Sequence, residues 1–497
     1  MVKILVATSE AVPFANTGGL GDVCGALPVE LARAGSQVSM ILPAYRTARY
    51  CGLPIEPMGI EFIVPVGTKT VSGRLLRSHL DGGRVPVYLV QQDEYFDREQ
   101  LYSINGKDYI DNCERFVFFC RAVMESIRLL ELDLDVLHAN DWQTGLVPAY
   151  LKILYRTLPR YEKIACLFTV HNMAYQGQFW HWDMLLTGLD WKYFNWHQME
   201  FYGKLNLLKT GLVFADAIST VSPRYAQEIQ HPPHGCGLEG VLQHRANVLY
   251  GILNGIDVEQ WNPATDPYIA AHYTMDSIDQ GKPICKAALQ REMGLPERQD
   301  IPLIGFIGRL TEQKGVDLLA AVMKQWAQET DVQWIVLGVG DLEIQQTLQE
   351  LAQQYPDRVA VRLEFSMPLA HRIEAGADML VMPSRFEPCG LNQMYSHRYG
   401  TVPVVRATGG LADTVVDTTP ETLAAGTANG FSFEEYSAQA LDETLRRACE
   451  AWRQPQLWRQ LQMCGMKQDW SWARSAREYI RVYEEIVARR RAELSSS

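Results

Sequence analysis

From one end to the other the chain repeats a single pattern, a short apolar run followed by a segment of helical period. That alternation commits it to parallel sheets joined by crossover helices. In the first half the apolar runs fall at 3–7, 38–42, 136–138, 166–170 and 217–221, with an amphipathic stretch at 111–130. The segment 247–257 (NVLYGILNGID) reads as a strand ending in a turn, and 261–300 is polar and weakly patterned. A second series follows at 302–307, 333–337, 359–363, 379–382 and 402–405. A chain of 497 residues is far too long for one core. The expected class is therefore α/β, with two doubly wound Rossmann-like domains facing a deep interdomain cleft. The first domain is drawn at 1–250 and the second at 251–472; a long charged helix, 473–497, is expected to pack back on the first.

Composition narrows the function. The net charge of −12 argues against nucleic-acid binding, which favours a basic face. No apolar window of membrane-spanning length occurs, and a strand pattern starting at Lys3 leaves no room for a leader. The ten cysteines form no CxxC pair and no metal spacing, which suits reduced thiols in a cytoplasmic setting. Plastid stroma is the equivalent setting if a transit peptide preceded residue 1.

The chemistry gathers where apolar runs end. Pro383-Ser384-Arg385-Phe386-Glu387-Pro388-Cys389-Gly390-Leu391 delivers one carboxylate from a buried strand into a Gly-opened helix start, the placement of a ligand site at a sheet's carboxyl edge. Cys389 reads as a buried structural thiol. Asn16-Thr17-Gly18-Gly19-Leu20-Gly21-Asp22 follows the first strand, and its glycines would let backbone N–H groups approach an anion. A tight turn is an equal reading for that loop taken alone. Gly308-Arg309-Leu310-Thr311-Glu312-Gln313-Lys314-Gly315 places two cations just beyond a strand, suited to a diphosphate. Thr408-Gly409-Gly410 opens a further helix. Gly340 and Asp341, in Gly338-Val339-Gly340-Asp341, stand at another strand end, where nucleotide contact and plain turn chemistry are equal readings.

In the first half, His138-Ala139-Asn140-Asp141-Trp142 and Thr169-Val170-His171-Asn172 are placed just past strands, lining a sugar site, and Asn254 ends a run of its own. Asp133-Leu134-Asp135 precedes a strand and reads as its solvated entrance, so no metal site is expected. A dinucleotide fingerprint, a nucleophile elbow and a P-loop are all missing.

These motifs closely resemble the bacterial glycogen synthase and starch synthase family of retaining glucosyltransferases. The resemblance rests on TGGL at 17–20, HANDW at 138–142, TVHN at 169–172, CGLEGVL at 236–242, ILNGID at 252–257, GRLTEQKG at 308–315, AHRIEAGAD at 370–378, PSRFEPCGL at 383–391 and TGGLADTV at 408–415. It implies the GT-B fold and transfer of glucose from ADP-glucose to the non-reducing end of an α-1,4-glucan (glycogen, starch or a malto-oligosaccharide). The first domain would then be the acceptor side and the second would hold ADP-glucose. Carried over by position, Glu387, His171, Asp141, Arg309 and Lys314 would do the catalytic work. Asn16, Thr17, Gly18, Gly19, Asn254, Gly340, Asp341, Cys389, Gly390, Leu391, Asn392, Thr408, Gly409 and Gly410 would bind the donor. No cofactor, metal, nucleic acid or membrane partner is implied.

Three positions depart from the family pattern. Asn16 stands where Lys precedes the first Gly–Gly pair, Asn392 stands where Thr is common, and Phe96 replaces a tyrosine. The first departure motivates one alternative, a catalytically weak homologue that acts as a glucan-binding or priming scaffold.

Overall fold

The computed structural model describes residues 1–104 and 106–496. It divides into two compact units, Met1–Asn254 with Trp472–Ser497, and Gly255–Ser471.

The first unit is built on nine strands: β1 (Lys3–Ala7), β2 (Gln37–Pro43), β3 (Glu56–Val66), β4 (Lys69–Leu80), β5 (Val85–Gln91), β6 (Val136–Asn140), β7 (Ala165–Val170), β8 (Ala217–Thr220) and β9 (Leu249–Gly251). Their order across the sheet is β9-β8-β7-β6-β1-β2-β5-β4-β3. Pairing is parallel from β9 through to β5, while β4 joins antiparallel to both β5 and β3. The central strands β6, β7 and β8 are buried along their whole length, as parallel strands covered on both faces must be. Strands β3 and β4 alternate exposed charge with burial and close one edge of the sheet.

Ile252 belongs to this unit's core, and its N–H donates to Thr220 O at 2.9 Å, so the sheet carries the chain beyond residue 250. The last helix, Trp472–Ser496, buries Trp472, Ala476, Tyr479, Tyr483 and Ile486 in the same core as Ile4, Val6 and Leu27. Its Ser475 hydroxyl donates to Leu253 O at 2.6 Å.

The second unit has six parallel strands, β10 (Leu303–Ile307), β11 (Gln333–Leu337), β12 (Val359–Arg362), β13 (Met379–Met382), β14 (Val402–Arg406) and β15 (Phe431–Phe433), in the order β12-β11-β10-β13-β14-β15. That is the doubly wound Rossmann order. The helix Val316–Glu329 packs on it through Leu319, Val322, Met323 and Trp326, a stripe of helical period. The stretch 261–300 holds a helix of sixteen residues, Ile278–Met293, that its polar sequence conceals.

Among its parallel strands, each sheet reverses its strand order at one place. In the first unit this lies between β1 and β6, and in the second between β10 and β13. The crevice outside the carboxyl ends of such a strand pair is where open α/β sheets bind ligands.

Candidate functional site

At the first switch point, β1 runs on into Thr8, Ser9 and Glu10, all buried. Glu10 anchors the Gly–Gly loop. Its carboxylate accepts from Thr17 N at 2.5 Å, from Thr17 Oγ1 at 2.8 Å and from the Tyr102 hydroxyl at 2.7 Å. Burial holds its pKa above the ordinary carboxylate value, against the pull of those three donors. Sequence reasoning passed over Glu10 although it sits three residues past the first strand. Tyr102, ninety-two residues further on, left no local signal. Phe96 is fully buried, edge-on to Tyr45; the tyrosine that reaches the loop is Tyr102.

Asn16 shapes the same loop from its outer side. Its Oδ1 accepts from Gly18 N at 2.9 Å and its Nδ2 donates to Asp22 Oδ1 at 2.9 Å. A Cβ built on Gly18 or Gly19 would meet nothing within 4 Å among the described residues. Neither glycine has a positive φ of the left-handed kind, so packing within the chain does not require either one. Their bare backbone leaves room for something outside the chain to come close.

Across the switch point, β6 ends at Asn140 and the backbone turns at Asp141 with φ 57° and ψ 179°, a region that side chains other than glycine's rarely occupy. Two bonds hold it there: Asp141 N donates to Thr169 O at 2.9 Å, and His171 N donates to Asp141 Oδ1 at 2.8 Å. Burial pushes the Asp141 carboxyl up to about 7, with the charge of Glu10 adding to the effect. His171 Nε2 lies 3.0 Å from Asn140 Oδ1, while Asn140 Nδ2 donates to Ala7 O and His138 O. That assigns the His171 proton to Nε2. Burial lowers its pKa to about 3, so the ring is neutral.

His138 is not part of this group. It lies inside β6 rather than past it, with Nε2 2.6 Å from Thr169 Oγ1 and Nδ1 2.8 Å from the Tyr483 hydroxyl. Both ring nitrogens are therefore engaged in the core. Trp142 packs edge-on to Phe116 at 5.0 Å and against Phe179 at 5.7 Å. Asn254 is buried, and its Oδ1 has no hydrogen-bond partner among the described residues, an acceptor left for something the chain does not supply.

At the second switch point, β10 runs into Gly308–Gly315 and β13 into Pro383–Leu391. Gly315 has φ +70°, and a Cβ there would lie 2.0 Å from Pro383 O, so the two loops touch backbone to backbone. Lys314 Nζ meets Glu387 Oε2 at 2.6 Å, and the Ser384 hydroxyl donates to the same oxygen at 3.0 Å. Glu387 is 6% exposed, while the lysine side chain keeps 21% of its surface. Arg309 is exposed, and its Nη2 donates to Gln313 Oε1 at a long 3.3 Å. Arg385 N donates to Gln313 O, and Arg406 Nη1 donates to Arg385 O at 2.7 Å, fixing the loop that carries the acid.

The remaining candidates of this unit surround that pair. Cys389 is buried, as expected for a structural thiol. Gly390 takes φ +73°, and Leu391 precedes the helix Asn392–Tyr399. Asn392 Nδ2 donates to Ile307 O at 2.7 Å, so its amide ties the helix start to the end of β10. Gly340 pairs with Leu310, and Asp341 N donates to Leu310 O at 2.8 Å.

The second Gly–Gly pair differs from the first. A Cβ on Gly409 would fall 1.9 Å from Glu387 O and one on Gly410 2.1 Å from Cys389 O. Gly410 N already donates to Glu387 O at 3.1 Å. Thr408 is buried beside them. Packing within the chain explains these glycines, which hold the carboxylate loop in place.

Two Rossmann-like units, each presenting charged and hydrogen-bonding residues at the switch point of its sheet, define a glycosyltransferase of the GT-B fold. Residues 3–244 match the family described as starch synthase catalytic domain, and residues 292–460 match glycosyl transferases group 1. The chain is 46% identical to a glycogen synthase of Rhodopirellula baltica, with all of both chains covered. It is 47% identical to one of Anaeromyxobacter dehalogenans strain 2CP-C, covering 98% of this chain and 100% of that one. The catalytic domain of starch synthase IV from Arabidopsis thaliana, solved bound to ADP and acarbose, superposes with a TM-score of 0.89 at 32% identity, covering 98% of this chain and 99% of that one. A sucrose-phosphate synthase of Thermosynechococcus elongatus, 18% identical with a TM-score of 0.58, shares the fold. The chain belongs to the glycogen synthase and starch synthase family.

Proposed function

We propose that the chain transfers glucose from ADP-glucose to the non-reducing end of an α-1,4-glucan with retention at the anomeric carbon. The observation that carries the reading is the Lys314–Glu387 pair at the second switch point. A buried acid is held rigid by an ammonium that still reaches the surface. In the reaction the bond from glucose C1 to the ADP oxygen breaks and a bond from C1 to the acceptor O4 forms. Arg309 and Lys314 stabilise the charge that develops on the departing diphosphate, which is electrostatic work for fixed cations. The O4 proton passes to the leaving phosphate oxygen on the same face of the sugar. Glu387, already accepting from Lys314 and Ser384, serves as a hydrogen-bond acceptor for sugar hydroxyls rather than as a nucleophile.

On the first unit, the open backbone at Gly18 and Gly19 is assigned to donor oxygens, and Asp141, His171 and Asn254 to the sugar. His171, neutral and fixed in one tautomer, orients by hydrogen bonding. The two cations do the task of a divalent ion, so transfer is proposed to need no added metal, and the enzyme is placed in the cytoplasm. Among the described residues no helix is long and apolar enough to cross a membrane.

The test is incorporation of labelled glucose into glycogen from ADP-glucose and, separately, from UDP-glucose, without added metal. The expected result is incorporation from ADP-glucose, abolished by Glu387→Ala with ADP binding largely kept. Glycogen binding without incorporation from either donor would refute the reading and leave a glucan-binding scaffold.

A further inference from the structure

Four of the chain's twelve tryptophans fall between 180 and 196, and all four face solvent. Trp180 is 63% exposed, Trp182 49%, Trp191 41% and Trp196 71%. Indoles are costly to leave in water, and a contiguous exposed set marks an interaction surface. Three of them, Trp180, Trp182 and Trp191, form a ladder, while Trp196 stands apart on His197. His181 sits 5.5 Å from both Trp180 and Trp182, Trp182 lies 5.4 Å from Trp191, and Trp191 lies 5.0 Å from Phe194.

The backbone beneath them is fixed. The strand Gln178–Trp180 pairs antiparallel with Lys204–Asn206. Asp190 accepts from Lys192 N at 2.8 Å, and Asn195 Nδ2 bridges Lys192 O and Gln198 Oε1. Between the tryptophan rungs, Thr187 O accepts from Arg121 Nη2 at 2.7 Å and from the Tyr150 hydroxyl at 2.9 Å.

We propose that this ladder is a docking track for an α-1,4-linked glucan chain, distinct from the residues assigned to the donor. The choice of occupant rests on the reading of the acceptor given above, and three features of the ladder support it. A pyranose offers an apolar C–H face ringed by hydroxyls, and the indoles are interleaved with His181, Asp183 and Lys192, which suit such a rim. The ring planes turn along the ladder, by 67° between Trp180 and Trp182, 39° between Trp182 and Trp191, and 36° between Trp191 and Phe194. Rings that are not coplanar suit an α-linked chain, which curves and rotates its successive faces, better than a flat β-1,4 ribbon, which presents them in one plane. The track also continues the first switch point: Phe179, on the other face of the same strand, packs on Trp142 beside Asp141.

The test uses the full chain with Trp180→Ala and with Trp180→Ala/Trp182→Ala. Glycogen affinity is read from retardation in native gels, and turnover is measured on glycogen and on maltotriose. The double variant is expected to weaken glycogen affinity about tenfold. Turnover on maltotriose should be unchanged, and cellohexaose should compete with glycogen in neither protein. The single variant, at the most exposed ring of the ladder, should show part of the loss with an unchanged thermal transition. Unchanged glycogen affinity would overturn the proposal. So would a changed oligomeric state with glycogen affinity intact, which would assign the rings to a second copy of the chain. If wild type binds glycogen through Trp180 yet incorporates no glucose, the donor reading fails while the track stands.

Discussion

Asp141 carries two burdens at once, a carboxyl moved out of water and a backbone angle that side chains avoid, and replacing it by Asn separates them. Asparagine keeps the shape, the φ of 57° and an oxygen for His171 N, and removes only the ionisable group. The span from an ordinary 3.8 to about 7 sets a ceiling of about 4 kcal/mol on the penalty of ionising it in the fold. Asp141 is only partly buried in the chain as a whole, so solvent screening reduces this to about 1–2 kcal/mol.

The sign follows from which state holds the proton. Well below pH 3.8 the carboxyl is protonated folded and unfolded, and Asp141 and Asn should be equivalent. Between there and about 7 the unfolded chain releases the proton first, so wild type loses stability as pH rises while the variant does not. Calorimetry should therefore find Asp141→Asn raising Tm by about 3–6 °C at pH 8 and by much less at pH 5. Its transfer rate should fall about a hundredfold if the carboxylate acts on the sugar. An equal Tm difference at both pH values would show that the carboxyl is not desolvated. A full rate would show that the ionisable carboxyl has no part in transfer.

Lys314→Ala leaves Glu387 buried with the Ser384 hydroxyl as its remaining side-chain donor. It should lose about 2 kcal/mol of stability by thermal melt and about 10²–10³ in kcat/KM. Adding Glu387→Gln should restore much of the stability and none of the activity; an unchanged melt in the single variant would mean that the pair is effectively solvated. Gly18→Ala should leave Tm within about 1 °C, because its Cβ meets open space, yet raise the KM for ADP-glucose. Gly410→Ala, whose Cβ would lie 2.1 Å from Cys389 O, should instead cost stability; equal melts for the two would refute the contrast. Asn16→Lys should lower the ADP-glucose KM several-fold, and unchanged kinetics would show that the position carries no donor charge in this chain.

Most of the parallel framework was legible because buried parallel strands are continuous apolar runs, as at Gln333–Leu337 and Met379–Met382. The edge strands β3 and β4 were not, since alternation with Glu61, Arg74 and Arg77 reads as a charged surface. The helix Ile278–Met293 escaped for a different reason: it buries two lysines. Lys282 donates to Thr401 Oγ1 at 2.6 Å and Lys286 pairs with Asp378 at 2.7 Å, partners some ninety residues away or more that make a polar stretch part of the core. Within the site, a cation loop and an acid loop could each be placed at a strand end from sequence. The clamp of Glu10 on Thr17, the help of Tyr102 and the angle at Asp141 could not, since they depend on distant contacts or on backbone geometry.

The two Gly–Gly loops show where sequence likeness misleads most. Thr17-Gly18-Gly19 and Thr408-Gly409-Gly410 are the same three letters, and both stand between a strand and a helix. In the first, the carboxylate of Glu10 grips the threonine, and both glycines face open space. In the second, backbone carbonyls of Glu387 and Cys389 fill that space, and the Gly410 N–H is already bonded to Glu387 O. One loop is therefore bare toward a ligand, while the other buttresses the acid loop. Substitutions at the first pair should change affinity with little change in stability. At the second they should displace Glu387 and reduce both together.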